Sequence, residues 1–326
     1  MASPVETLLR EQLEDRRQKL ESVSARAAGD EQVRRLLREV DAALKRMEGG
    51  TFGLCETCHE SIEPERLLAD PLLEYCLDHL TPAERHALEQ DLDLAARVVR
   101  GLLPPATLRS RDYEVALHYE GAGPISGDYC DVVNAEDGSL YFAIGDVSGK
   151  GVAASMLMAH LHATFRALVP LKMPLDQLVE RASRLFCESA LPSHFASLAI
   201  GRASTSGEVE ICNAGHVPPL FRRGRDVVRI DSTGLPIGMF GDERFLVNRL
   251  RLSPGDGILL YTDGASEGQN AAGQEYGIDR LARLVSENHA LASSELIAAG
   301  LRDLAAFRSG TRHADDLTLM AIRRAG

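Results

Sequence analysis

Four stretches of this chain place aspartates where carboxylates could do chemistry together. They are SGDYCD around Asp128, AIGDVSGKG around Asp146, LLYTDGASEG around Asp263, and RHADDLTLM around Asp315 and Asp316. Each stands beside an apolar run or a tight turn. Taken singly, an aspartate in such a place closes a turn or caps a helix. Taken together, strand-end carboxylates at one rim of a sheet would repel one another unless cations held them. Oxygen-only ligands select magnesium or manganese rather than zinc. Two such ions, about 3.5–4 Å apart, can bridge and deprotonate a water and align it with a phosphoryl group. The glycines of GDVSGKG invite a different reading, a phosphate-binding loop. That loop needs four residues before its Gly-Lys pair and a Ser or Thr after it. Here three residues separate Gly145 from Gly149, and Gly151 stands where the hydroxyl should be. The nucleotide reading fails. Asp146 is the residue with chemistry, the glycines shape its turn, and Lys150 is a solvated cation or an attractor of phosphate.

A second constellation lies nearer the N-terminus. Cys55 and Cys58 form a CxxC knuckle, and Cys76 and His79 form a CxxH knuckle after 17 intervening residues. Two knuckles at this separation can fold over one zinc ion as a tetrahedron, and four protein ligands leave no position for a reacting water. The expected zinc is therefore structural. His59 follows Cys58 directly and is poorly placed to replace a member of the second knuckle. Cys130, Cys187 and Cys212 are scattered, so no disulfide framework is expected.

These groups need elements to position them. From about residue 112 the chain alternates strands and helices. DYEVALHYE, SLYFAIGDV, GDGILLYTDG and DDLTLMAI read as strands. HFASLAIGRAS and EVEICNAGH read as a pair joined by a Ser-Thr-Ser-Gly turn. Residues 151–168, 278–285 and 294–307 read as helices. Before them, residues 1–50 carry helical periodicity in two runs. Leu8, Leu9, Leu13 and Leu20 mark one, and Val33, Leu36, Leu37, Val40 and Leu44 the other. Ala-Ala-Gly-Asp at 27–30 breaks them into an expected helical hairpin. A helix over residues 81–103 opens on a Thr81-Pro82-Ala83-Glu84 capping box and stops at Pro104 and Pro105. Its Leu88, Leu92, Ala95, Val99 and Leu102 form a short heptad seam, able to pair with a second copy or to dock on the following domain.

The 326 residues suffice for one large domain and a smaller module, with 44% hydrophobic and 26% charged residues as in ordinary globular chains. A net charge of −12 speaks against a nucleic-acid-binding surface. No apolar run approaches the roughly 20 residues needed to cross a bilayer, and the N-terminus lacks the apolar core of a secretory signal. The cytoplasm is the expected compartment, with no membrane partner.

Two resemblances carry the reading further. TFGLCETCHESIEPERLLADPLLEYC resembles the DksA/TraR type of zinc finger, with an aromatic and Gly ahead of the first CxxC. That family usually ends in a second CxxC, so His79 replaces a cysteine, which zinc accepts. Some members bind RNA polymerase through acids at a long coiled-coil tip; only Asp30 and Glu31 stand at the tip here, and that function is not carried over. Further on, Ser126-Gly127-Asp128-Tyr129, GDVSGKG, Asn213-Ala214-Gly215-His216, Tyr261-Thr262-Asp263-Gly264 and Asp315-Asp316-Leu317-Thr318 resemble, in order, the motifs of the SpoIIE-like branch of the PPM phosphatases.

The second resemblance implies an α+β fold: a sandwich of two antiparallel sheets flanked by helices, spanning residues 108–324. Residues 51–80 would be the zinc finger and 81–105 a linker helix. The implied reaction is hydrolysis of phosphoserine or phosphothreonine in proteins, dependent on two manganese or magnesium ions. Asp146 would bridge both ions and the Val147 carbonyl would bind the second. Asp263 and Asp315 would hold the first, with Asp316 the alternative to Asp315, and Asp128 would hold the second, directly or through water. His216 is a candidate proton donor to the leaving oxygen, or a loop-shaping residue. Cys130 stands where the family often has an aromatic, and removes no ligand. The implied substrate is a phosphorylated protein, an anti-sigma-factor antagonist by analogy, and the linker seam implies a homodimer. The competing reading is a non-catalytic zinc-finger interaction protein on a phosphatase fold; such a protein would be expected to lack a metal acid, and none is missing.

Overall fold

The computed structural model describes residues 9–10, 12–14, 16–18, 20–21, 31–80, 82–123, 125–149, 151–190, 194–310 and 315–326. The expected hairpin break at 27–30, Thr81 of the capping box and Lys150 lie outside the described residues. The chain forms two compact units, 1–91 and 92–326.

In the first unit, α1 (Glu31–Glu48) presents Val40, Ala43, Leu44 and Met47 along one face. They share a core with Leu9 and Leu13, and with Cys55, Ile62, Leu67 and Cys76. The zinc-finger segment adds a short helix α2 (Pro64–Ala69) and a single 3-10 turn at Leu77–His79. A bridge between Leu54 and Ser61 folds the first knuckle back on itself.

Helix α3 (Pro82–Leu102) crosses the division between the units. Within the second unit its Leu92, Ala95, Ala96 and Val99 pack into the core, while Leu94 and Val98 are exposed. Of the two packings open to the expected seam, the part from Leu92 onward adopts docking on the chain's own domain.

The second unit is built on two sheets. One has six strands in the order β1-β2-β11-β10-β7-β8 and the other five in the order β3-β4-β5-β6-β9. The strands are β1 (Thr107–Ser110), β2 (Tyr113–Glu120), β3 (Asp128–Asn134), β4 (Leu140–Val147), β5 (Ala196–Ala203), β6 (Glu208–Ala214), β7 (Leu220–Arg223), β8 (Asp226–Arg229), β9 (Asn248–Arg251), β10 (Gly257–Tyr261) and β11 (Leu317–Arg324). Every pairing between them is antiparallel. The helices are α4 (Gly151–Leu168), α5 (Leu175–Ser189), the one-turn α6 (Asp263–Ser266), α7 (Ile278–Glu287) and α8 (Ser293–Arg308).

The period-two geometry of a strand explains why LYFAIGDV is apolar throughout. Leu140, Phe142 and Ile144 of β4 pack with Val115, Met320 and Ile322 between the sheets. The alternate residues Tyr141 and Ala143 pack under α4 and α5, with Met158, Leu161 and Phe186. On the opposite side Leu259, Leu319 and Ala321 meet Leu281, Leu296 and Leu304 of α7 and α8. The result is a helix–sheet–sheet–helix sandwich, as the second resemblance implies. One helical stretch, Gly151–Leu171, is long and apolar enough to span a bilayer by length and composition, contrary to the sequence expectation. Its Ala154, Met158, Leu161 and Phe165 are buried in the core between α4 and its neighbours, which accounts for that composition.

Candidate metal centres

Strand register brings the first two aspartates together. Asp128, opening β3, lies directly opposite Asp146 near the end of β4, and Ser197 of β5 lies opposite Asp146 on its other side. Directly opposed residues hold their Cβ atoms about 4.5–5.5 Å apart. Asp128 is buried, at 2% exposure, and Asp146 is half-buried. Burial pushes the Asp128 carboxyl well above its ordinary range; Asp146 and Asp316 push it further, while the Thr318 and Thr262 hydroxyls oppose the shift.

Those two threonines tie the sheets together. Thr262 Oγ1 donates to Asp128 Oδ2 at 2.9 Å and Thr318 Oγ1 donates to the same oxygen at 2.5 Å. The Thr318 amide donates to Thr262 Oγ1 at 2.9 Å, and the Thr262 amide to the Thr318 carbonyl at 3.0 Å. Both threonines are fully buried. Thr262 immediately precedes Asp263, and Thr318 lies two residues after Asp316. One clasp therefore fixes three of the four motifs relative to one another.

The two adjacent acids at the start of β11 are placed differently. Asp316 accepts the Ala122 amide on Oδ1 at 2.8 Å and the Gly127 amide on Oδ2 at 3.0 Å, so it fastens the loop that leads into Asp128. Asp315 Oδ1 accepts the Asp316 amide at 3.0 Å. Asp263 begins α6, and its carbonyl accepts the Glu267 amide at 2.7 Å. The carboxyl of Glu267 is pushed up by burial and then by Asp263, Glu275 and Asp315. Asp263 and Asp315 thus share one neighbourhood with Glu267.

His216 sits just beyond β6 at 5% exposure. Its Nε2 lies 3.0 Å from the Tyr261 carbonyl, which only accepts, so this nitrogen carries the proton. Its Nδ1 then accepts from Ser197 Oγ at 2.8 Å. Burial pushes the imidazole down to about 4, against the hydrogen bond to Tyr261. At neutral pH it is an uncharged clasp between β5, β6 and β10. Val147 is fully buried, and its amide donates to the Gly127 carbonyl at 3.3 Å. Beyond it, the Ser148 amide donates to the Phe195 carbonyl at 2.9 Å, and Ser148 Oγ accepts the Phe195 amide at 3.0 Å.

In the first unit the donor atoms of Cys55, Cys58, Cys76 and His79 all lie within 4.8 Å of one another. Cys58 Sγ is 3.8 Å from Cys76 Sγ, which is 3.3 Å from His79 Nδ1. Burial would raise the Cys55 thiol, but the amides of Cys76, Cys58 and Thr57 outweigh it and bring it down to about 6, towards the thiolate that binds metal. Burial holds the Cys76 thiol above its ordinary value. The sulfur and imidazole set fits zinc. Among the described residues the rim aspartates do not close to the same spacing as a set of three. Their all-oxygen donor set, with Asp146 and Asp316 bearing on the buried carboxyl of Asp128, fits hard divalent cations.

Thr262, Thr318 and Glu267 received no role from the sequence, although all three lie within or beside the quoted motifs. The available signal was a hydroxyl at Thr318, two positions after Asp316 and just inside β11.

Comparison with known proteins accords with both halves. Residues 136–325 match the family described as Stage II sporulation protein E (SpoIIE). Residues 50–78 match the prokaryotic dksA/traR C4-type zinc finger. The first match begins after Asp128. The second ends before His79, the position at which this chain departs from four cysteines. Protein IcfG of Synechocystis sp. is 26% identical over 263 residues, 72% of this chain and 41% of that protein. Phosphoserine phosphatase RsbU of Bacillus subtilis is 24% identical over 240 residues, 73% of this chain and 71% of RsbU. The chain thus spans about two fifths of IcfG and most of RsbU. Among solved structures, the RsbU and RsbW domains of Rv1364c from Mycobacterium tuberculosis superpose with a TM-score of 0.58 at 26% identity, covering 68% of this chain and 62% of that one.

Proposed function

The chain belongs to the SpoIIE family, and on that premise we propose that it is a metal-dependent protein phosphatase acting on phosphoserine or phosphothreonine. The observation that carries this reading is the placement of Asp128 opposite Asp146, with Asp128 clasped by Thr262, next to Asp263, and by Thr318, two residues after Asp316. Asp146, Asp263, Asp315, Asp128 and the Val147 carbonyl are the proposed holders of two magnesium or manganese ions. When bound, such ions supply Lewis-acid chemistry, activating a water and neutralising charge on the phosphoryl oxygens.

The rest is work for the chain's own residues. Asp128 has one carboxylate oxygen committed to two hydroxyls and presents the other. Asp315 is preferred to Asp316 as a ligand because both oxygens of Asp316 are engaged by backbone amides. His216 acts by holding the Tyr261 end of β10 in place, since both its ring nitrogens are occupied and it stays neutral. The zinc ion is assigned to Cys55, Cys58, Cys76 and His79 as a structural one.

The proposed substrate is a phosphorylated protein of the anti-sigma-factor-antagonist type in a cytoplasmic partner-switching pathway; support comes from the likeness to RsbU, named a phosphoserine phosphatase. The proposed homodimer along the linker helix would use Leu94 and Val98, 53% and 56% exposed, because Leu92, Ala95 and Val99 are taken up by the domain's own core.

The test is hydrolysis of a small aryl phosphate and of a phosphoserine protein, with manganese and with chelator. Turnover should require the metal and collapse in Asp146→Asn. A wild-type chain without turnover on either substrate, or a folded Asp146→Asn protein at the wild-type rate, would sink the reading.

A further inference from the structure

We propose that Arg308, the last residue of α8, is a positioning residue for Asp263. Its guanidinium fixes the turn carrying that carboxylate and so sets the affinity of the site for its divalent metal. The proposal rests on the phosphatase reading for the role of Asp263.

Arg308 is 6% exposed, an uncommon place for a cation. Burial works against its charge and the Glu120 carboxylate favours it. Its Nη2 donates to the carbonyl of Gly264, the residue after Asp263, at 2.7 Å. The chain makes room for it. A Cβ on Gly268 would lie 2.6 Å from Arg308 Nη2 and 2.7 Å from its Nε, so the guanidinium fills the space a side chain would need. On the other side, a Cβ on Gly264 would lie 2.0 Å from the Asp316 carbonyl oxygen. The Asp263 turn is therefore wedged between the backbone leading into β11 and a buried guanidinium. Gly264 is held to glycine by the Asp316 backbone, and Gly268 leaves open the space that the guanidinium fills.

A wedge of this kind predicts an effect on metal affinity. Partners that orient metal ligands typically contribute about 10–100-fold in affinity or activity. If the guanidinium is lost, the turn carrying Asp263 gains freedom and must be ordered by the incoming ion. Lysine at this position keeps the charge but loses the planar, multi-donor fork.

The experiment titrates manganese into the full chain and follows free Mn(II) by its paramagnetic resonance signal, alongside hydrolysis rates and thermal melting. Arg308→Met should weaken manganese binding about 10–100-fold, with kcat at saturating metal kept within a few-fold. Arg308→Lys should weaken it less. Arg302→Met, on the exposed face of the same helix, should match wild type. A general loss of folding would instead lower the active fraction, and with it kcat, at unchanged affinity. Wild-type manganese affinity in folded Arg308→Met overturns the proposal, as does a loss of kcat alone. If Arg308→Met does not fold, Gly268→Ala and Arg308→Lys decide, and wild-type affinity in both overturns it. A wild-type chain that binds manganese but hydrolyses nothing defeats the phosphatase reading and leaves the proposal to be judged by the titration. A wild-type chain that binds no manganese overturns both.

Discussion

Asp128 has a single carboxylate oxygen to offer, because Oδ2 is saturated by Thr262 and Thr318. Hydrogen bonds to a charged acceptor are about twice as strong as neutral ones, and here they oppose the burial that favours protonation. Thr318→Val should therefore weaken manganese binding by about 10–100-fold, whereas Thr318→Ser, which keeps the hydroxyl, should restore most of it. Equal manganese titrations for the valine and wild-type proteins would show that the clasp does not orient Asp128. His216 makes a separate prediction about pH. Its ordinary value of 6.5 falls to about 4 in the folded chain. Between those values the unfolded chain binds a proton that the folded one refuses, so stability drops as pH falls through that window, by roughly 3 kcal/mol once it is crossed. His216→Gln cannot titrate, and should lose less stability than wild type between pH 7 and 4.5 in urea melts; parallel losses would mean the imidazole is not held neutral. The aspartates were legible in sequence because each marks a strand end or turn. Their threonine partners were not, because the contacts join residues 134 and 190 positions apart and exist only once two sheets have packed.

Helix α3 shows how far periodicity reaches. Its spacing of Leu88, Leu92, Ala95, Val99 and Leu102 reads equally well as a seam between chains and as a face docked within one. Packing decides between them for the second half: Val99 is 7% exposed and joins the core beneath α4 and α5, while Val98 is 56% exposed. Val99→Glu places a charge in that core and should destabilise the second unit by about 3 kcal/mol or more. Val98→Glu should change stability by no more than about 0.5 kcal/mol. If the exposed face pairs two copies, Val98→Glu should also shift the sedimenting mass towards monomer. Urea melts of the two variants that coincide would contradict this assignment of faces. Long or strongly patterned elements were legible from sequence, including β2, β4, the β5–β6 hairpin, α4, α7 and α8. Strands β7, β8 and β9 were not: each has four residues, and Arg223, Asp226 and Arg249 put charges where alternation would otherwise signal a strand. Strand β3 was hidden because Asp128 and Asp131 interrupt its apolar run, both buried by partners elsewhere in the fold.

At the scale of the molecule, two ligand chemistries are kept in two units, each with a core of its own. Among the described residues the first unit has one apolar cluster, and it contains Cys55 and Cys76 themselves, so a zinc ion held by them would help to order its interior. The second has cores between its sheets and on both outer faces, with none of Cys55, Cys58 and Cys76 in them. Thiolate and imidazole favour zinc, and carboxylates favour magnesium or manganese, so neither site should take over the other's ion at physiological ratios. Metal analysis of the full chain should find about one zinc per molecule, unchanged in Asp146→Asn. Cys55→Ser leaves three ligands and an open position; it should lose most of the zinc and lower the melting of the first unit. The melting of the second unit should hold, because its stability comes from sheet and helix packing that the substitution does not touch. Calorimetry of the full chain, wild type against Cys55→Ser, then separates the two. Full zinc content with an unchanged thermogram would mean that Cys55 is only a buried thiol, and a fall in both transitions would mean that the knuckle supports the phosphatase fold as well as its own.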